Sequence, residues 1–200
     1  MLLPSEKECY ELFEEFHTPQ IVRLHSEQVA KVAKTLAEAF VESGKEVNVD
    51  LCYKAGLLHD LLRVVDIANF ELLQGSAKEL RSWQSQRKKY AKMHHAEAAQ
   101  QVLLERGYPE LAKTIERHKA EAVFDSKPFA TLADKIVFYA DKRVAHGKIV
   151  SLEERITEAL GRYGWQGKEL ERVKTGWEKM RVVEQELFAE ISIGPEDLSR

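Results

Sequence analysis

The chain has 200 residues, of which 44% are hydrophobic and 32% are charged, and its formal net charge is −3 at pH 7. This composition is typical of a soluble globular protein, and the weak negative charge gives no reason to expect nucleic acid as the main partner. Two cysteines and the lack of both a signal-peptide pattern and a long uninterrupted apolar stretch predict a cytoplasmic protein that neither spans nor binds a membrane.

Helical periodicity dominates the chain and strand-like alternation is scarce, so the sequence predicts an all-α fold. Capping-box patterns at Ser5–Glu8, Thr131–Asp134 and Ser151–Glu154 each predict the start of a helix, and Asp50 is the predicted cap of the third helix. Residues 120–130 are predicted to form a loop. In chain order, the predicted helices begin at about Ser5, Gln20, Asp50, Ile67, Met93, Pro109, Thr131, Ser151 and Gly167, and the helix from Thr131 is predicted to end at Gly147.

The third predicted helix carries the most informative feature of the chain, the adjacent pair His59-Asp60 in an otherwise apolar stretch. Imidazole nitrogens and carboxylate oxygens suit the divalent metals used in hydrolysis. Long stretches of chain separate this pair from the other candidate ligands, as expected for ligands on successive helices rather than in a compact metal knuckle. Those other candidates are His25, His95, His118 and Asp141.

Asp60 is the predicted bridging ligand of a two-metal site. Adjacent residues on a helix point about 100° apart, yet both can reach one metal because a carboxylate has two oxygens, and the second oxygen can bind a second metal. Two metals about 3.5–4 Å apart can supply a hydroxide for phosphoryl transfer. The first metal would be held with His25, His59 and Asp141, and the second with His95 and His118.

Five segments around these residues resemble, in order, the motifs of the HD-domain superfamily of metal-dependent phosphohydrolases. They are Arg23–Ala30, Ala55–Asp60, His95–Ala99, Ile115–His118 and Ala140–Arg143. The resemblance covers about residues 20–163 and implies an all-α HD-domain bundle with a metal site. It predicts a single domain of residues 1–200, made of this core and a helical extension of about 164–200 that includes one long, charged helix.

Three basic residues, Arg63, Lys142 and Arg143, are predicted to bind a substrate phosphate; ordinary solvated ion pairs are the alternative for each. Many members of the superfamily follow His-Asp with Ile-Gly-Lys, whereas this chain has Leu61-Leu62-Arg63, so Arg63 keeps the positive charge. His94 competes with its neighbour His95 for the third motif, and we predict that it lies just outside the metal ligands.

The resemblance implies a phosphohydrolase that uses one or two divalent ions (Mn, Fe, Mg, Ni or Zn) and acts on a phosphate ester or anhydride of a nucleotide or another small metabolite. Two alternatives stay open. One is a di-iron oxygenase of the HD type, and the other is a non-catalytic regulatory protein that binds metal or nucleotide. The sequence selects neither the substrate nor the metal, and it leaves a homo-oligomer open.

Overall fold

The computed structural model of the chain describes residues 1–68 and 70–199, without the side chain of residue 163. It confirms the predicted all-α class, because the elements beyond the helices are short turns and one two-stranded ribbon in the described part of the chain. The helices are α1 (Glu6–Glu15), α2 (Gln20–Glu42), α3 (Val49–Leu58), α4 (Ala77–Lys89), α5 (His95–Glu105), α6 (Pro109–Glu116), α7 (Leu132–Lys142), α8 (Leu152–Tyr163) and α9 (Gly167–Phe188).

The three predicted capping boxes are confirmed at the starts of α1, α7 and α8. The predicted cap of α3 is wrong by two residues. Asn48, not Asp50, caps this helix, and its side chain accepts a hydrogen bond from the backbone N–H of Leu51 at 2.9 Å. Asp50 lies in the first helical turn, where its carboxylate pairs with Lys54 at 2.6 Å.

Three other predicted boundaries differ from the structure. The helix expected from Ile67 begins only at Ala77, after a cap formed by Ser76. Within the predicted loop of residues 120–130, Ala120–Phe124 forms a 3-10 helix. The helix expected to continue to Gly147 ends at Lys142.

A short antiparallel ribbon follows α7, with β1 (Val144–Ala145) paired to β2 (Lys148–Ile149). The two residues between these strands, His146 and Gly147, both have positive φ values, 51° and 71°. Two consecutive positive φ values are what a tight hairpin turn requires, and a right-handed helix could not include these two residues.

The centre of the fold is the packing of α2, α3 and α7 against one another. Gly56 on α3 makes the closest approach, because a Cβ at this position would lie 2.8 Å from the Cα of Ala30 on α2. The two backbones therefore meet at a distance that only glycine permits. This contact brings the rings of His25 on α2 and His59 at the end of α3 to 5.3 Å between centroids.

The C-terminal helix α9 packs on α7 and on the 3-10 helix Ala120–Phe124. Gly176 faces the Phe124 ring, where a Cβ would lie 3.3 Å from the ring edge. Across residues 1–68 and 70–199, none of the helices combines the length and the apolar character needed to cross a membrane.

Candidate metal centre

One group of candidate ligands lies on the three central helices, and we call His25, His59 and Asp141 the helix triad. The Nε2 atom of His25 is 3.0 Å from Oδ1 of Asp141, and Nε2 of His59 is 3.5 Å from the same oxygen. His25 belongs to α2 and Asp141 to α7, while His59 is the C-terminal cap of α3. Helix packing therefore sets the relative positions of these three side chains.

A second group lies at helix ends and turns, and we call Asp60, His95 and His118 the turn triad. His95 is the first residue of α5, His118 follows the end of α6, and Asp60 lies in the turn after α3. The Nε2 atom of His95 is 2.9 Å from Oδ1 of Asp60 and 3.0 Å from Nε2 of His118. The third distance, between His118 Nε2 and Asp60 Oδ1, is 3.8 Å.

The two oxygens of Asp60 face different triads. Oδ2 lies 3.6 Å from Nε2 of His59 in the helix triad, whereas Oδ1 faces the two imidazoles of the turn triad. The turn that follows α3 allows this orientation, because α3 ends at Leu58 and Asp60 is no longer held by the helix. The expectation that both residues of the His-Asp pair lie on the helix is therefore incorrect.

Hydrogen bonds fix the orientation of two of the imidazoles. Nδ1 of His59 lies 2.8 Å from the carbonyl oxygen of Gly56, and Nδ1 of His118 lies 2.6 Å from that of Ile115. A carbonyl oxygen only accepts, so each of these Nδ1 atoms carries the hydrogen. In the neutral ring the lone pair is then on Nε2, and both Nε2 atoms point into the centre.

The buried charges of the centre stabilise one another. Burial raises the pKa of Asp60, but His59 and His95 outweigh this effect and hold that pKa well below its ordinary value. The same balance lowers the pKa of Asp141, where Lys142, His25 and His59 supply the opposing interactions. Both groups are therefore carboxylates near neutral pH, as metal ligands must be.

His118 differs from its neighbours in the direction of its pKa shift. Burial, together with the positive charges of His59 and His95, places the pKa of His118 well below the ordinary value. For His59 and His95, burial lowers the pKa, but the adjacent carboxylates outweigh it and the net pKa is raised. His118 is thus neutral, and its Nε2 lone pair is available.

Two observations show that divalent metals fit these residues. First, Nε2 of His59 is fully buried and has no hydrogen-bond partner among the described residues. Second, the facing Nε2 atoms of His95 and His118 are 3.0 Å apart, a contact that needs a cation or proton between two lone pairs. A separation of roughly 3 Å is also what two ligand atoms have when each lies about 2.1 Å from the same metal and the angle between them at the metal is about 90°.

The predicted phosphate-binding residues lie in different environments. The Arg63 guanidinium pairs with Asp66, lies 3.1 Å from Nδ1 of His95, and is 3.9 Å from Oδ2 of Asp60, so it borders the turn triad. The Lys142 ammonium pairs with Oδ2 of Asp141, so it neutralises a candidate ligand of the helix triad.

The phosphate-binding role predicted for Arg143 does not fit the structure. Its side chain is only 2% exposed, and it donates hydrogen bonds to the Val150 carbonyl at 2.6 Å, the Tyr139 hydroxyl at 2.6 Å and the Pro195 carbonyl at 3.0 Å. A phosphate would have to displace these acceptors from the interior. Arg143 instead joins the end of α7 to the C-terminal segment.

His94 lies beside the centre, with its ring centroid 4.0 Å from that of His95. Its Nδ1 accepts a hydrogen bond from the backbone N–H of Ala96 at 3.1 Å, so His94 caps α5. Because Nδ1 already accepts this hydrogen bond, only Nε2 is available for other contacts.

Asp66 is the site residue that the sequence does not predict. Both carboxylate oxygens lie 2.9 Å from Nδ1 of His95, and Oδ2 also accepts from the backbone N–H of His95 at 3.0 Å. Burial raises the pKa of Asp66, but His95 and Arg63 outweigh this and lower it to about 2. The signal in the sequence is weak, because the contact depends on the turn that connects α3 to residues 67–76.

Residues 22–145 match the family model of the HD domain, which is more than half of the chain. The chain belongs to the HD-domain family. The matched segment contains all six residues of the two triads, and the HD family is all-α, in agreement with the fold. No curated protein and no solved structure gives a significant match to this chain. The predicted extent of the HD core, about residues 20–163, and of the extension after it stays a prediction.

Proposed function

We propose that this HD-domain chain is a metal-dependent phosphohydrolase that cleaves a phosphate ester or anhydride of a nucleotide or another small metabolite. The observation that carries the proposal is the position of Asp60, whose two oxygens face two different sets of imidazoles and so suit a carboxylate shared by two metals. Divalent metals, when bound in such a site, supply a hydroxide near neutral pH and neutralise phosphate charge.

The side chains of the centre have separate roles in this proposal. The carbonyl oxygens of Gly56 and Ile115 hold the rings of His59 and His118 with Nε2 facing inwards. Lys142 balances the charge of Asp141, which is therefore kept as a carboxylate ligand. His25 and His95 complete the six proposed ligands, one in each triad.

Arg63 is the proposed contact to the substrate phosphate. Its side chain is partly exposed, at 28%, beside the proposed bridging carboxylate of Asp60. A guanidinium donates two parallel hydrogen bonds to a phosphate and keeps its charge at any working pH. Arg63 would therefore orient the phosphate and stabilise the charge that develops during cleavage.

The test is a hydrolysis screen with protein loaded separately with Mn, Fe, Mg, Ni and Zn. Model mono- and diesters, nucleotides and dinucleoside polyphosphates are the substrates, and released phosphate or nucleotide is measured. We expect cleavage of at least one class, and a loss of about 10²-fold or more in Asp60→Asn. Asp125→Asn, an exposed carboxylate outside both triads, is the matched control.

Two results would contradict the proposal. One is the absence of cleavage by protein that demonstrably holds metal. The other is an Asp60→Asn variant that retains full activity. Dioxygen uptake by the iron-loaded protein without ester cleavage would favour the oxygenase alternative instead.

A further inference from the structure

A single carboxylate, that of Asp66, holds both the ring and the backbone of His95. Its two oxygens lie 2.9 Å from Nδ1, and Oδ2 accepts the backbone N–H of the same residue at 3.0 Å. Asp66 follows the 3-10 turn Arg63–Val65, whereas His95 begins α5. The carboxylate therefore connects the turn after the His-Asp pair to the helix that carries a proposed ligand.

This contact selects one tautomer of His95. An ionised carboxylate only accepts, so the hydrogen of the neutral ring is drawn to Nδ1. The lone pair is then on Nε2, which faces Oδ1 of Asp60 at 2.9 Å and Nε2 of His118 at 3.0 Å. A carboxylate partner on the far nitrogen also makes an imidazole a more basic ligand.

Arg63 competes for the same ring atom. Its Nη1 lies 3.1 Å from Nδ1 of His95, and if it donated there the hydrogen would have to move to Nε2. That tautomer could not bind a metal through Nε2. The same Nη1 atom pairs with Oδ1 of Asp66, so its hydrogen can be directed to that oxygen, and the carboxylate can still accept the ring hydrogen of His95.

A separate metal at Asp66, His94 and His95 is the other interpretation of this cluster, because these residues offer ligand atoms within 4.8 Å of one another. The geometry opposes it. The Arg63 cation already pairs with Asp66, and a divalent ion there would be repelled. His94 could reach such an ion only through Nε2, which lies 3.9 Å from Oδ2 of Asp66, because its Nδ1 accepts from the backbone N–H of Ala96.

We propose that Asp66 is a positioning residue of the turn triad. It fixes the Nδ1–H tautomer of His95, and through the same carboxylate it holds Arg63 beside Asp60. This inference rests on the proposed function for its catalytic meaning. The tautomer and the metal affinity that it predicts can be measured without any substrate.

The first measurement is ¹⁵N NMR of the histidine rings in the metal-free protein, followed upwards in pH until the His95 ring is neutral and carries a single hydrogen. We expect His95 to be the Nδ1–H tautomer in the unmodified protein and to lose this preference in Asp66→Asn, which has the same size without the charge. The Nε2–H tautomer in the unmodified protein would overturn the proposal even if the variant does not fold.

The second measurement is metal binding by calorimetry and elemental analysis. In Asp66→Asn we expect the affinity for one of two metals to fall by about 10–100-fold, with the other affinity unchanged. Glu97→Gln is the matched control, because Glu97 lies on the same helix turn and contacts the His94 backbone and Lys119. It should leave both affinities unchanged.

These results separate the inference from the proposed function. Unchanged affinities in Asp66→Asn, or a third metal that Asp66→Asn removes, would overturn the positioning role. A tautomer and an affinity that depend on Asp66, in a protein that cleaves no phosphate ester, would support the positioning role and count against the hydrolase.

Discussion

The helix triad and the turn triad use the same ligand chemistry but are built differently. In the helix triad, His25 and Asp141 lie within α2 and α7, and His59 caps α3, so the close packing of three helices sets their positions. In the turn triad, the two candidate histidine ligands lie at helix ends and are oriented by hydrogen bonds to Ile115 and Asp66. A metal held by the packed core should therefore exchange more slowly than one held by turns.

Removing one histidine from each triad gives the largest expected effect. His118→Ala should leave about one metal ion per chain that resists chelator, whereas His25→Ala should leave one that chelator removes readily. Both variants should lose about 10²-fold or more of any hydrolytic activity. Metal content after dialysis against graded chelator concentrations measures the difference.

His146→Ala is the control for these two variants, because its ring is 69% exposed and contacts Glu158 and Arg162 outside the triads. It should retain the metal content of the unmodified protein. If the metals left in His25→Ala and His118→Ala resist chelator equally, helix packing does not slow metal release, and the proposed difference between the two triads is wrong.

A smaller effect is expected at the contact between α2 and α3. Gly56→Ala adds a Cβ that would lie 2.8 Å from the Cα of Ala30, so the helices must separate. We expect the free energy of unfolding to fall by about 1–3 kcal/mol. We also expect weaker metal binding at the helix triad, because His25 and His59 lie on the two helices that separate. Urea unfolding and calorimetry measure the two effects.

Gly161→Ala on α8 is the matched substitution, because nothing lies within 4 Å of its added Cβ. Alanine there should stabilise the protein by about 0.5–1 kcal/mol, since glycine in a helix has the larger entropy loss on folding. A Gly56→Ala protein as stable as Gly161→Ala would show that the close approach of α2 and α3 is not required.

The smallest expected effect is that the two cysteine thiols do not react with an alkylating reagent in the folded protein. Cys9 on α1 and Cys52 on α3 are fully buried, and burial raises the pKa of each thiol to about 12. The thiolate is the reactive form, so both thiols stay protonated and inert at a pH of about 8. Iodoacetamide should label neither cysteine in the folded protein and both in urea, as mass spectrometry can show.

An exposed cysteine introduced by Lys88→Cys should be labelled within the same time and serves as the control. Rapid labelling of Cys52 without denaturant would mean that α3 opens locally. The helix triad would then be no more rigid than the turn triad, in contradiction to the comparison.

The sequence predicts the candidate ligands of the helix triad better than it predicts the residues that orient the candidate ligands. The motifs that resemble those of the HD family carry His25, His59 and Asp141 in order, and the sequence predicts these three residues as one ligand set. The role of Asp66 could not be predicted, because it depends on how the turn after Asp60 brings a carboxylate to the start of α5. Such long-range contacts have no local sequence pattern.

The prediction for Arg143 failed for a related reason. Its position two residues after Asp141 suggested the site, but residues two apart on a helix point about 200° apart, and Arg143 lies on the side of Tyr139, four residues before it. The guanidinium then enters the interior and meets acceptors from distant segments.

The buried guanidinium of Arg143 also has a practical consequence for handling the protein. One of its acceptors is the carbonyl of Pro195, and Leu198 close by is buried. A truncation before Pro195 would leave a buried cation short of an acceptor two residues from Asp141. Affinity tags are therefore better placed at the N-terminus, where Met1 and Leu2 are exposed.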